Sequence, residues 1–121
     1  GVDAELQGNL VVHGDISNRG VATATGVVDQ TTNPHAFIAG YNVSDYVDVG
    51  TGQTKVIFET PMDDISYAVS GSVHNPSATQ RFIVASYNHT RESFIINANY
   101  DNNTLYNRVI AFSVYGGRKI I

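Results

Sequence analysis

The chain has 121 residues, a formal charge of −4 and no cysteine, which suits one small domain and excludes a disulfide framework or a thiolate metal site. The acidic balance, with no Lys/Arg cluster, argues against nucleic acid and anionic membrane as partners, and no apolar run approaches the ~18 residues that a membrane span needs. A unit this size buries only about two-thirds of the surface its unfolded chain exposes, so without disulfides oligomerisation is expected to stabilise it. Nothing at the N-terminus resembles a signal peptide, and Gly1 opening directly into Val2, Asp3 and Ala4 reads as a fragment of a longer protein.

Val, Ile, Thr, Tyr and Phe abound, and Asn, Gly and Asp punctuate them, which is the composition of a β protein. No window carries a sustained helical period, so no long helix is expected. From Leu6 to Ile16 every even position is apolar or glycine, while Gln7, Asn9, His13 and Asp15 take odd ones. Such a period-two segment buries one face. It has no partner strand nearby and a lone strand is unstable in water, so pairing with copies of itself in a stalk is expected. Residues 21–34 are rich in Gly, Thr, Ala and Asn and end at Asn33-Pro34, which reads as a thin connector. The expected division is therefore a stalk and connector over 1–34 and a β-sandwich head over 35–121.

Within the head, strand-like runs cover 35–42, 45–49, 54–60, 67–74, 80–89, 93–100 and 107–115. Turn signals separate them: Gly50-Thr51-Gly52, Pro61-Met62-Asp63-Asp64, Asn75-Pro76-Ser77 and Asp101-Asn102-Asn103. Alternation predicts buried faces made of Val56 and Phe58, of Tyr67, Val69, Gly71 and Val73, of Phe82 and Val84, and of Phe94, Ile96 and Ala98. In the last run Ile110, Phe112 and Val114 form the larger set. Val109 and Ala111 are apolar as well, so this strand is expected to be covered on both sides, as at a subunit interface.

These residues carry a resemblance. The succession TKVIFETPMDDISYAVSGSV, FIVASYNHTRESFIINAN and RVIAFSVYG resembles the C-terminal receptor-binding heads of phage tail fibres, especially those of phages infecting cyanobacteria. LQGNLVVHGDI resembles the Gly-Asn-Leu-x-Val-x-Gly repeats of their trimeric stalks. The head pattern is similar to H-type lectins as well, trimeric β-sandwiches that bind sugars between protomers. Residues Tyr100-Asp101-Asn102-Asn103-Thr104-Leu105-Tyr106 echo the aromatic-x-Asp-Thr-x-Leu-Tyr stretch of those lectins. Tyr100 stands where they have Trp, extra residues precede Thr104, and the final strand reads Phe-Ser-Val-Tyr in place of a Trp-containing one. The resemblance implies an H-type-lectin-like sandwich after a short trimeric β stalk, a homotrimer at a virion's tail-fibre tip, and a host cell-surface glycan (lipopolysaccharide or capsule) as partner.

Catalytic chemistry finds little support. His13, His35, His74 and His89 form no i, i+2 or i, i+4 ligand pair, and no Cys or Glu cluster joins them. Asp45, Asp48, Asp63 and Asp64 lack the Asp-x-Asp-x-Asp-Gly pattern of a calcium loop, and turn chemistry accounts for the pair after Pro61. Ser70 and Ser72 flank Gly71 in a strand-like run with no elbow turn. The few glutamates (Glu5, Glu59, Glu92) are not placed to converge. Neither a cofactor, a metal nor an enzymatic activity is expected.

A sugar site needs aromatic faces to stack on C–H groups and polar side chains for hydroxyls, held in loops on a rigid scaffold. Tyr87, Asn88, His89 and Arg91 in one loop, and Tyr100, Asp101, Asn102, Asn103 and Tyr106 in another, supply both and are expected at one end of the sandwich. Tyr100, Asp101 and Tyr106, with Arg81 and His89 nearby, are the expected lining of a shallow groove between protomers. The alternative is that these are ordinary polar hairpin turns whose tyrosines cover the core edge. Three function classes follow: a host-attachment adhesin or related secreted lectin, a purely structural trimerisation cap, and an endosialidase-like or lyase activity, the least supported.

Overall fold

Period-two alternation becomes eight strands in the computed structural model, which describes residues 21–74, 81–100 and 103–118. They are β1 (Ala22–Asp29), β2 (Ala36–Tyr41), β3 (Val43–Gly50), β4 (Gln53–Phe58), β5 (Tyr67–Val73), β6 (Phe82–Tyr87), β7 (Ser93–Tyr100) and β8 (Val109–Gly116). One sheet has the order β2-β1-β8-β5 and the other β3-β4-β7-β6, with every neighbouring pair antiparallel. Among the described residues all regular structure is strand. The two sheets pack face to face as an all-β sandwich around one core.

The core forms because inward positions alternate with outward ones on both sheets. Val56 and Phe58 on β4, Phe94, Ile96 and Ala98 on β7, and Ile110, Phe112 and Val114 on β8 are all buried as alternation predicts. Phe94 is fully buried, with ring centroids 5.6 Å from Phe58 and 5.7 Å from Phe112. A side chain of that size contributes roughly 1.5–3 kcal/mol by leaving water. Val69, Val73 and Val84 pack against this cluster from β5 and β6.

The start of the sandwich lies earlier in the chain than the sequence predicts. Residues expected as a thin connector form β1, a central strand hydrogen-bonded to β2 on one side and β8 on the other. Its inward residues are Ala24, Gly26 and Val28, small because larger rings arrive from opposite them. A Cβ at Gly26 would lie 2.8 Å from Phe112 Cζ and overlap the Tyr46 hydroxyl. The boundary drawn at residue 35 therefore separates β1 from the other three strands of its sheet. The expected stalk segment 6–16 lies outside the described residues.

β8, expected to be covered on both sides, sits between β1 and β5, so its inner residues fill the core, and within the single chain Val109 and Ala111 are half-buried on the outer face of the sheet.

Candidate functional site

The tyrosines singled out by the sequence stand at one end of the second sheet, where β6 begins and β7 ends. Phe82 opens β6 directly opposite Tyr100, which closes β7. Beyond Tyr100 the backbone folds back: Asn103 takes a left-handed φ of 66° and its N–H donates to the Tyr100 carbonyl at 2.9 Å. Asparagine is among the few residues that adopt this conformation at low cost. Tyr100 N–H then donates to Thr104 O at 2.9 Å, Leu105 bridges to Asn99, and Tyr106 N–H donates to Ala98 O at 3.2 Å.

Tyr106 is seated on the β3–β4 turn. Gly52 N–H donates to Asn107 Oδ1 at 2.7 Å, and Ala98 N–H donates to Gly52 O at 3.0 Å. Gly52 has a φ of 69°, and a Cβ there would lie 2.7 Å from the Tyr106 carbonyl oxygen. Only glycine permits this approach. The rings of Phe82, Tyr100 and Tyr106 form a triangle, with centroids 5.3 Å apart for Phe82–Tyr100, 6.0 Å for Tyr100–Tyr106 and 6.1 Å for Phe82–Tyr106. The Arg108 guanidinium lies over Phe82 at 4.9 Å, within cation–π range. Tyr106 is 42% exposed, whereas Phe82 and Tyr100 are half-buried. Arg81, exposed, immediately precedes Phe82 at the same end. Asp101 lies outside the described residues.

His89 is not part of this group. It sits between β6 and β7 at the far end of the hairpin, where Tyr87 pairs with Ile95. The length of β7 puts it roughly 20 Å from Tyr100 at ~3.3 Å per residue. The β6–β7 loop enters β7 and the β7–β8 loop leaves it, so the two lie at opposite ends of that strand. At its own end the His89 ring stacks on Tyr67, with centroids 4.7 Å apart and planes 5° apart, and meets Phe94 at 5.9 Å. His89 Nε2 and Ser86 Oγ are 2.8 Å apart. Burial lowers the His89 pKa. Tyr67 donates its hydroxyl to Thr90 O at 2.7 Å and to Ser93 O at 3.0 Å, and burial pushes its pKa up to about 12. His89 therefore serves the core's edge.

A buried polar chain that the sequence does not reveal lies behind the aromatic triangle. Gln30, fully buried, donates from Nε2 to Thr54 Oγ1 at 2.9 Å, and His35 Nδ1 meets the same hydroxyl at 2.9 Å. His35 Nε2 faces Asp48 Oδ2 at 3.3 Å. Every group is satisfied if the Thr54 hydroxyl donates to Nδ1 and Nε2–H points at the carboxylate. An Asp–His–Thr series has the look of a nucleophile relay, but Thr54 is 0% exposed, so no substrate reaches its hydroxyl. The chain instead anchors the site: Gln30 N–H donates to Arg108 O at 3.0 Å and Arg108 N–H to Gln30 Oε1 at 3.1 Å. Position 30 could be read from the sequence only as a polar connector residue, because its burial depends on β1 being a strand.

A cleft of about 460 Å³ opens at the His89 end among Tyr41, Asn42, Glu59 and Arg118. Its polar groups hold the fold: Asn42 Nδ2 donates to Thr23 O and Thr60 O, and Arg118 Nη1 to Pro61 O. Among the described residues no group of three or more His, Cys, Asp or Glu is placed to hold a metal ion. Comparison with family models, curated proteins and solved structures finds no match for the chain.

Proposed function

We propose that this chain is the receptor-binding head of a phage tail fibre, a non-catalytic, homotrimeric module that attaches the virion to host lipopolysaccharide or capsule. The observation that carries the reading is the Tyr106–Tyr100–Phe82 triangle with Arg108 beside it. It offers an exposed ring for the C–H face of a sugar, backed by a guanidinium stacked on Phe82, on a backbone fixed by Gly52 and the buried Gln30. Asp101, the acceptor expected from the sequence, follows Tyr100 in the chain; Arg81 adds a second cation at the rim. The resemblance of the strand motifs to tail-fibre heads supports the same reading. His89, at the other end, has no part in it.

A glycan array that includes host surface polysaccharides, probed with the 121-residue chain, is the direct test. Binding is expected, with an affinity per site between micromolar and millimolar, raised by avidity in the trimer. Tyr106→Ala should weaken it at least tenfold, because one stacked ring is worth on the order of 1–3 kcal/mol where it stacks on a flat face. Failure of the wild-type chain to bind any host polysaccharide would reject the adhesin and leave a structural cap.

A further inference from the structure

The first sheet has an unusual outer surface. Across β2, β1, β8 and β5 the only charged residue is Asp29, and its carboxylate already accepts from Thr31 N–H at 2.8 Å. Strand register sets Ala39, Val27, Ala111 and Ser72 in one row across the four strands. The next row carries Thr25, Ser113 and Ser70. An open depression of about 370 Å³ lies among Thr25, Val27, Ala39, Tyr41 and Ala111. The second sheet, by contrast, carries Asp45, Asp48 and Lys55 in its strands.

The edge of the first sheet is equally unguarded. Among the described residues β2 is hydrogen-bonded to β1 alone, and no strand pairs with its other edge. It contains neither a charge nor a proline, two of the devices that natural edge strands use against pairing. Phe37 is 49%, Ile38 57% and Tyr41 61% exposed, and Tyr115 on β8 is 43% exposed. Ile38 sits where the β1–β2 register shifts.

We infer that copies of this chain meet through the outer face of the first sheet and the free edge of β2. The inference rests on the oligomeric reading proposed above and names its surface. Area supports a second copy as the occupant. The four large side chains leave roughly 400 Å² exposed, at about 200 Å² for a fully exposed one. A four-stranded face covers on the order of another 400 Å² at ~4.8 Å per strand and ~3.3 Å per residue. Tyr41 and Tyr115 lie on that face, so with their area counted once the total is about 600 Å² per copy, at the lower end of what each partner of a stable complex contributes. Rows of Ala, Ser and Thr let two sheets approach to about 10 Å, and a free strand edge asks for main-chain partners that a sugar does not supply. Apart from Asp29, whose carboxylate is engaged by Thr31, the strands of this face carry none of the carboxylates or guanidinium groups by which a glycan would be held.

Sedimentation of the full 121-residue chain tests this. The wild type is expected to be an oligomer at ~10 μM protein, within the usual range of specific association. Ala39→Arg and Ser72→Arg, each at an exposed position, should raise the dissociation constant of assembly at least tenfold with an unchanged β-sheet circular dichroism spectrum. Ile83→Arg, on the outer face of the second sheet, should leave assembly intact. The chain has no cysteine, so Ser72→Cys adds a unique thiol; slow alkylation in the oligomer and fast alkylation on dilution would support the interface even if an arginine variant misfolds. A wild-type monomer overturns both this interface and the oligomeric reading. An oligomer that survives the arginine variants, or a thiol alkylated at one rate throughout, overturns this surface alone.

Discussion

Gly26 shows how closely single residues constrain this sandwich. The Tyr46 hydroxyl donates to Ala39 O at 2.8 Å across the face that Gly26 leaves bare, and burial raises the Tyr46 pKa. Gly26→Ala forces the two rings apart and is expected to cost about 2 kcal/mol, in the range of core overpacking, read as a lower denaturant midpoint with unchanged slope. Titration is expected to bracket stability from both sides. Burial holds the His89 pKa below its ordinary 6.5, so the unfolded chain takes up more protons in acid. Its contribution is intact above pH 6.5 and is lost as pH falls. Tyr67 moves from 10.0 to about 12; its phenol ionises first in the unfolded chain, so stability declines as pH climbs from 10 towards 12. Denaturation of His89→Gln at pH 5 and 7.5 should show a smaller acid loss than wild type. Equal losses would assign the acid sensitivity to other groups.

At the scale of elements, alternation was a reliable guide wherever the inward residues were large. Phe94, Ile96, Phe112 and Val114 announce their strands, and all seven expected runs are strands in the sandwich. β1 escaped because Ala24 and Gly26 carry too little hydrophobic mass to mark a face, although they alternate correctly. What made them small is the Tyr46 and Phe112 rings packed against them, a tertiary fact that a local pattern does not contain. The practical consequence is a truncation test. A fragment of residues 35–121 lacks β1, so β2 loses its hydrogen-bonded neighbour and the inner edge of β8 is exposed. That fragment is expected to unfold without a cooperative transition, whereas residues 21–121 keep one. Cooperative melting of the shorter fragment, followed by circular dichroism, would mean that β1 is dispensable.

On the whole-molecule scale, the candidate site was half legible. Tyr100 and Tyr106 were found because a tyrosine-rich, Asn-rich loop stands out; Phe82 and Arg108 were not, since only folding brings positions 82, 100, 106 and 108 together. The place of His89, apart from Tyr100 within the chain, has the same root, because sequence proximity to β7 says nothing about which end of β7 a loop occupies. The sandwich separates two tasks along its strands. At the end where β6 begins, an exposed ring and a cation are held by Gly52 and Gln30; at the other, His89, Tyr67 and Phe94 close the core. Variants at the two ends should therefore act on different quantities. Tyr106→Ala, at a 42% exposed position, loses two ring contacts and is expected to cost about 1 kcal/mol or less of stability while abolishing most glycan binding. Phe94→Ala leaves a cavity and is expected to cost roughly 3–5 kcal/mol; below its lowered melting temperature the affinity per site should stay near wild type. Four residues of β7, roughly 13 Å, separate Phe94 from Ala98, whose carbonyl accepts from Tyr106 N–H, so the two losses should add in the double variant. A double variant far from additive in stability, or a Phe94→Ala protein that is folded yet has lost the glycan, would show that the ends are coupled and that the site depends on more of the sandwich than its own loop.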